Sequence, residues 1–424
     1  MKTTLEIIKA DIGSVGGHIA PSRKLFAIAK DYVKNICPRF IDDAFISSTG
    51  NVNARANFRN KIEQLLSIAD IKIGGNRPWD LQVHNDDFYA RVLAEGSLGL
   101  GESYMDGWWN CDRLDKFFHR ILRAELDRKV KTRTEFFEVL KSKLFNLQKP
   151  SRAFQIGQRH YDIGNNLYKY MLGERLIYSC GYWKNASMLD EAQEAKLDLV
   201  CRKLGLRPGM RVLDIGCGWG ETAKFAAERY QVEVVGITVS EQQTKLGKEL
   251  CRGLPVDIRL QDYRNIEETF DRILSIGMFE HVGYKNYSTF MRIVKNCLKD
   301  RGLFLLQTIG GIKSVTRNDP WIERYIFPNS MLPSAKQICS AFEGVFVLED
   351  WHSFGPDYDK TLIEWFRNFH ENWDILKEYY DERFYRMWKY YLLSCAGSFR
   401  ARENQLCQIV LSANGVPGGY RSIR

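Results

Sequence analysis

Two stretches of this chain combine residue types and spacing that can do chemistry. The first, Val212-Leu213-Asp214-Ile215-Gly216-Cys217-Gly218-Trp219-Gly220, is an apolar run closed by an aspartate and a Gly-x-Gly-x-Gly turn. Glycines supply positive φ and lack the Cβ that holds a ligand off the backbone, while an acid at the end of a strand accepts hydrogen bonds. The second, Gly277-Met278-Phe279-Glu280-His281-Val282-Gly283, sets a carboxylate beside an imidazole, two groups able to move protons. Bland readings stand beside both: a tight strand-to-helix connection for the glycines, and a packing or helix-start role for His281.

The elements that must position these groups follow a regular alternation. After the glycine turn, Val232–Thr238, Val256–Leu260, Phe270–Ile276 and Gly302–Thr308 read as further short strands separated by helix-length spacers. Such alternation predicts an α/β fold, a parallel sheet covered by helices, with ligands beyond the carboxyl ends of its strands. Glu280 lies just after the fourth run, where such sheets place ligands. The turn is not Gly-x-Gly-x-x-Gly, the second strand ends in Gly236-Ile237-Thr238 instead of a ribose-binding acid, and no Gly-Lys-Ser/Thr follows. The pattern resembles class I S-adenosylmethionine-dependent methyltransferases, which implies a Rossmann-like, mostly parallel seven-stranded sheet. Leu260-Gln261-Asp262-Tyr263-Arg264 resembles the loop those enzymes place beside adenine. Asp262 is suited to accept from the exocyclic amine, or to cap a turn.

Composition bounds the rest. The 424 residues carry 61 Lys+Arg against 52 Asp+Glu, a net charge of +9 that suits an anionic surface. No compact basic run selects nucleic acid. Ten cysteines without Cys-x-x-Cys pairs or neighbouring histidines predict a reduced, cytoplasmic protein without structural metal. No apolar run spans a membrane, and Met1-Lys2-Thr3-Thr4-Leu5-Glu6 lacks the character of a secretory signal. Three parts are expected: an accessory extension over 1–50, a small α+β lipid-associated domain with its linker over 51–145, and a catalytic domain over 146–424. The stretch holding Lys131, Arg133, Lys141, Lys143, Lys149, Arg152 and Arg159 reads equally as the wet face of a connecting helix or a headgroup-facing strip.

Several blocks share one resemblance. Gly96-Ser97-Leu98-Gly99-Leu100-Gly101-Glu102-Ser103-Tyr104-Met105-Asp106-Gly107-Trp108-Trp109 is similar to the small-domain signature of bacterial cyclopropane-fatty-acyl-phospholipid synthases. His160–Tyr168, Tyr178-Ser179-Cys180-Gly181-Tyr182-Trp183, Gly277–Gly283 and Cys395-Ala396-Gly397-Ser398-Phe399-Arg400 resemble the same family, which covers the chain from about Arg55 onward. The resemblance implies transfer of a methylene from S-adenosylmethionine to a cis double bond of an unsaturated phospholipid in the bilayer. It implies a homodimer peripherally attached to the inner face of the cytoplasmic membrane, with no nucleic-acid partner. The Leu98–Leu100 and Met105–Trp109 segments are expected either to insert shallowly into the bilayer or to pack on the catalytic domain.

That chemistry sets requirements. Attack of an alkene on a sulfonium methyl leaves a carbocation, which needs a dry, aromatic enclosure. Tyr178, Tyr182, Trp183, Phe354, Tyr358 and Phe399 are candidates for it, or for ordinary core. A base must then take a proton from the new methyl group as the ring closes. In the family this base is a bound bicarbonate, which the resemblance assigns to Cys180 and Ile309 through their backbones and to Glu280, Gln307 and Tyr358. Gln307 departs from the pattern, because well-known members carry histidine there. Its amide can donate to the ion but cannot relay protons, which leaves Glu280, able to share a proton with the ion, as the expected relay. Cys395 is carried over from its block, with a structural or pocket-lining role favoured over a nucleophilic one. For the cofactor, Tyr178 and Ser179 fall at the methionine end, Gly216, Gly218 and Gly220 on the backbone cradle, and Thr238 and Gln243 at the ribose. Asp214 is added at the strand end, and Asp262, Tyr263 and Arg264 near adenine. Alternatives are methylation of the acyl chain without ring closure, a nucleic-acid or small-amine methyltransferase, and a non-catalytic lipid carrier.

Overall fold

The structure is a computed structural model that describes residues 52–126 and 165–424. Within it, Arg55–Arg424 forms one compact unit. The 1–50 extension, the basic stretch from Lys131 to Arg159 and residues 160–164 of the His160–Tyr168 block lie outside the described residues.

The first part contains α1 (Val52–Ile68), β1 (Gln82–Val83), α2 (Asp87–Glu95), α3 (Ser97–Met105), β2 (Trp109–Asn110) and α4 (Leu114–Arg123). The second opens with α5 (Asn165–Met171), α6 (Leu189–Leu204), β3 (Arg211–Ile215), α7 (Glu221–Tyr230), β4 (Glu233–Thr238) and α8 (Glu241–Leu250). It continues through β5 (Val256–Leu260), β6 (Phe270–Ile276), α9 (Phe279–Val282), α10 (Tyr287–Asn296), β7 (Leu298–Gly311), α11 (Pro320–Tyr325) and α12 (Ala335–Phe342). It ends with β8 (Val347–Ser353), α13 (Pro356–Glu371), α14 (Trp373–Leu376), α15 (Glu382–Ala401) and β9 (Asn404–Ser412).

Strands β3 to β9 form a seven-stranded sheet in the order β5-β4-β3-β6-β7-β9-β8. The five strands β3 to β7 are parallel, and β9 lies antiparallel between β7 and β8. This is the α/β architecture expected from the sequence. Its inner strands are buried on both faces, which is why Val212, Leu213, Phe304, Leu305 and Leu306 read as near-continuous apolar runs. The chain moves outward from β3 to β5 and then returns to the other side of β3 with β6. That reversal opens a crevice at the carboxyl ends of β3 and β6.

Residues 55–126 pack on α15 and α11 and bury their signature glycines there. A Cβ on Gly397 of α15 would stand 2.7 Å from the Asp115 carbonyl oxygen of α4, and one on Gly101 of α3 would stand 2.3 Å from the Trp321 indole. Trp109 is wholly buried, and Tyr104 lies beneath the Arg386 guanidinium, 4.1 Å away. Of the two roles expected for the Leu98–Leu100 and Met105–Trp109 segments, packing is the one the structure displays.

Candidate functional site

The crevice is lined by Tyr178, Ser179, Asp214, Gly216, Gly218, Thr238, Gln243, Asp262, Tyr263 and Arg264. Gly216 and Gly218 both adopt positive φ, and a Cβ on Gly218 would meet nothing within 4 Å, so its backbone faces open cleft. Gly220 differs from expectation. It also has positive φ, but it precedes α7 as its N-cap, and a Cβ there would sit 3.2 Å from Cys251 Sγ and from Ile258 Cδ1. It is a packing glycine at the helix start and does not line the cleft, because the turn has already curved away.

Polar groups around the cleft are held in fixed directions. Thr238 Oγ1 donates to Gln243 Oε1 at 2.7 Å, which leaves the Gln243 amide group as a donor. Of the two roles expected for Asp262, the structure displays the cap: it lines the cleft and accepts from the Arg264 amide at 3.0 Å, while Arg264 forks onto both of its oxygens at 2.8 and 2.6 Å. Asp214 is buried, and its Oδ2 has no hydrogen-bond partner. Burial raises its carboxyl to about 7, against the pull of Lys196. An unsatisfied buried acid oxygen beside open glycine backbone fits the ammonium-bearing, polar cofactor S-adenosylmethionine. A cation bound there favours the ionised carboxylate, so affinity for S-adenosylhomocysteine should rise by about tenfold as pH goes from 6 to 8. Calorimetric titration at both pH values checks this; equal affinities would rule out Asp214 as the cation's partner.

A second group of residues lies against the same two chain segments, Ile177–Cys180 and Gly277–Val282. Glu280, on α9, is buried; its Oε1 accepts from the Ile309 amide at 2.6 Å, and its Oε2 is unpartnered. Burial lifts its carboxyl to about 7, even though the Ile309 amide and Thr308 hydroxyl favour the anion. The Ile309 amide, expected on a bound ion, is therefore engaged by Glu280, because β7 passes directly beside the carboxylate. Gln307, two residues earlier on the same strand face, accepts from Gln408 Nε2 on β9 at 2.9 Å. Its own NH2 is left as the donor, and Gln408 Oε1 is buried without a partner. Cys180, Glu280 and Cys395 all lie close enough to Tyr358 to raise its hydroxyl, which burial already holds well above its usual value. Tyr358 thus stays a proton donor.

The thiols are not nucleophiles at neutral pH. Burial pushes Cys395 up to about 12 and Cys180 well above its ordinary value, and Cys180 Sγ contacts the Gly181 carbonyl and Thr361 Oγ1 at 3.1 and 3.7 Å. His281 lines the cofactor cleft with its ring 6.0 Å from Phe327, and burial pulls it down to about 4, so it is neutral.

The expected aromatic lining divides into two. Tyr358 stacks on Phe399 at 4.5 Å and meets Trp365, which in turn contacts Tyr178 at 5.2 Å. Phe327 and Tyr391 complete that group, with the Tyr178 and Tyr391 hydroxyls 2.8 Å apart. Tyr182 and Phe354 instead pack with His352, and Trp183 donates to Thr361 Oγ1 at 2.9 Å. Those three are core residues behind the site.

Four residues absent from the sequence reading support it. Thr361 accepts from the Gly181 amide and Trp183 Nε1 and so fixes the Cys180 segment. Gln193 donates to the Ser179 carbonyl at 2.8 Å, Lys196 donates to Ser179 Oγ at 3.0 Å, and Gln408 orients Gln307. Trp365 and Thr361 stand at helical spacing from Tyr358, the one signal in the sequence that would have found them.

Comparison with known proteins agrees with this geometry. Residues 148–409 match the family model described as mycolic acid cyclopropane synthetase. The chain is 53% identical over 369 residues to Escherichia coli cyclopropane-fatty-acyl-phospholipid synthase, which covers 87% of this chain and 96% of that protein. A mycolic acid cyclopropane synthase solved with SAH and CTAB is 33% identical, with a TM-score of 0.57 over 61% of this chain and 97% of that one. Coclaurine N-methyltransferase bound to N-methylheliamine and SAH is 25% identical, with a TM-score of 0.62 over 74% of this chain and 98% of that one. Residues 2–54 match a different family model, described as fructose-1,6-bisphosphatase.

Proposed function

The chain belongs to the mycolic acid cyclopropane synthetase family, and from that premise we infer that this S-adenosylmethionine-dependent methyltransferase acts as a cyclopropane-fatty-acyl-phospholipid synthase. It transfers a methylene to the cis double bond of an unsaturated phospholipid acyl chain. The carrying observation is Glu280: a buried carboxyl titrating near neutrality, anchored through one oxygen and open at the other, beside the cofactor crevice.

S-adenosylmethionine, when bound, supplies an electrophilic methyl group. The chain's residues do the rest. Asp214, Thr238, Gln243 and the Gly216–Gly218 backbone would hold the donor, while Tyr358, Phe399, Trp365 and Tyr178 present aromatic faces that would exclude water and stabilise positive charge on the acyl chain. Bicarbonate, when bound, supplies an oxygen base in a place where a protein thiolate would risk alkylation. The Gln307 amide and Tyr358 hydroxyl would donate to such an anion, and ionised Glu280 Oε2 would accept from it the proton released as the ring closes. Support for the anion is the unpartnered Glu280 Oε2 beside the Tyr358 hydroxyl, together with a Gln307 NH2 left as donor by its bond from Gln408. The test uses vesicles of unsaturated phosphatidylethanolamine and phosphatidylglycerol with labelled S-adenosylmethionine, with and without bicarbonate. Mass spectrometry should find a lipid enlarged by one CH2 that resists hydrogenation. A hydrogenatable product would mean methylation without closure, and equal rates without bicarbonate would remove the anion from the mechanism.

Membrane contact is part of the same reading. Among the described residues, no helix is long and apolar enough to cross a membrane. The loop after β7 carries Ile312 and Val315, 52% and 39% exposed, beside Lys313. It is pinned by the Gly311 amide on the Pro333 carbonyl and by Gln337 Nε2 on the Val315 carbonyl. It leaves the sheet at the edge holding the crevice, a position suited to the inner face of the cytoplasmic membrane. Replacing Ile312 and Val315 together by serine should weaken vesicle binding by about tenfold or more. Activity on short-chain, monomeric phospholipid should be unchanged; cosedimentation and turnover on both substrates decide. The homodimer rests on the family resemblance, and sedimentation equilibrium tests it.

A further inference from the structure

We propose that Lys196 is a positioning residue that turns Ser179 and Asp214 into a matched pair for the zwitterionic amino-acid end of S-adenosylmethionine, an inference that rests on the cofactor reading above. Lys196 is on α6 and completely buried, and its Nζ donates to Ser179 Oγ at 3.0 Å. An ammonium offers donors only, so Ser179 must accept there and direct its own hydroxyl proton elsewhere. Ser179 lines the cleft, and that proton is a donor suited to a carboxylate. Gln193, three residues earlier on the same buried helix face, fixes the backbone by donating to the Ser179 carbonyl at 2.8 Å.

The opposite charge lies across the cleft wall. Asp214 ends β3, lines the same cleft and keeps Oδ2 without a partner. Among the described residues Lys196 makes no ion pair, although Asp214 and Lys196 each favour the other's charged form. A lysine buried away from a contacting acid costs stability. A ligand carrying a carboxylate and an ammonium on one carbon offsets that cost at both ends, with an acceptor for the Ser179 hydroxyl and a donor for Asp214 Oδ2. The pair therefore reads the amino-acid group and is indifferent to adenine and ribose, which fall to Asp262, Tyr263, Thr238 and Gln243.

The test compares two ligands on the purified full chain. S-adenosylhomocysteine has the amino-acid end; 5′-methylthioadenosine keeps the nucleoside and thioether and lacks it. Lys196→Met should lose affinity for S-adenosylhomocysteine by roughly 10- to 100-fold and keep its affinity for methylthioadenosine within about twofold, the range expected when one charge-assisted contact is lost. Ser179→Ala, which leaves the lysine in place, should give the same selective loss and carries the test should Lys196→Met fail to fold, as judged by its melting curve. Equal weakening toward both ligands in the folded variants would reduce Lys196 to packing, and unchanged affinity for both would overturn the proposal. Wild-type protein that binds neither ligand would overturn the cofactor reading itself.

Discussion

Glu280→Gln is expected to lower kcat by about 10³-fold, within the range for loss of a positioned proton acceptor, while affinity for S-adenosylhomocysteine stays at the wild-type value. The substitution is nearly isosteric. A glutamine carbonyl oxygen can still accept from the Ile309 amide, as Oε1 does at 2.6 Å, so the α9–β7 contact survives. What disappears is the capacity of the second oxygen to take a proton. Once the methyl has been transferred, the proton leaving the acyl chain has no carboxylate to be passed on to, so ring closure slows and the charged chain loses a proton elsewhere or is trapped. Residual product should therefore shift toward methylated or methylene-bearing chains, a change that mass spectrometry resolves. The pH profile gives a second readout. The carboxyl titrates at about 7 and must be ionised to accept, so wild-type kcat should rise as pH increases through that value, and the variant should be flat across it. A variant with full activity and an unchanged profile would remove Glu280 from the proton path.

This dependence on one carboxylate also shows where the sequence was legible and where it was not. The glycine turn and the parallel strands could be read because both are local: positive φ at Gly216 and Gly218, and apolar strands whose burial on two faces leaves little polar alternation. Strand β7 begins earlier than expected because Lys299, Asp300 and Arg301 interrupt its apolar pattern near the start. Edge strand β8 has exposed Val347 and Leu348 and mixed polar residues, and its partner β9 comes only after the helical excursion through α13, α14 and α15. That pairing is long-range and has no local marker. Lys196 was hidden for a different reason. Helix α6 carries Asp190, Glu191, Glu194, Lys196 and Asp198, a composition that reads as a solvated face. Yet Gln193, Lys196 and Lys203 share the buried side with Leu197 and Val200. Polar residues on an apolar stripe are recognisable only after the partner segment, here Ile177–Cys180, is in place. The residues proposed to hold an anion were accessible through resemblance alone, since nothing local distinguishes Ile309 or Gln307 from other strand residues.

Asp115→Asn should destabilise the fold by about 3 kcal/mol, the largest stability effect expected of a single change at the contact between the small part and the long C-terminal helix. Asp115, at the start of α4, is 1% exposed; it accepts from Arg113 at 2.8 Å through two nitrogens and from Arg400 Nη1 at 2.6 Å. Arg400 on α15 also forks onto both oxygens of Asp359 on α13 at 2.8 Å. Removing the charge leaves Arg400, 29% exposed, with Asp359 as its remaining acid and takes the buried acid from Arg113. The loss falls at the lower end of the range for broken buried pairs because Arg113, at 47% exposed, rehydrates. The sign with pH follows from direction. The two arginines hold the Asp115 carboxyl at about 2, below its ordinary 3.8, so its stabilisation is complete above about pH 4 and is lost as pH falls through 2. Urea titrations at pH 7 and pH 3 should give a wild-type protein that weakens on acidification and a variant that starts lower and loses less. The consequence reaches the site, because Asp359 adjoins Tyr358 on α13. With the Asp115 charge gone, Arg400 no longer ties Asp359 firmly to α4, so the neighbouring Tyr358 stack on Phe399 is held less rigidly and kcat should fall severalfold even where the variant is fully folded. A folded variant with wild-type kcat would confine the Asp115–Arg400–Asp359 clamp to stability.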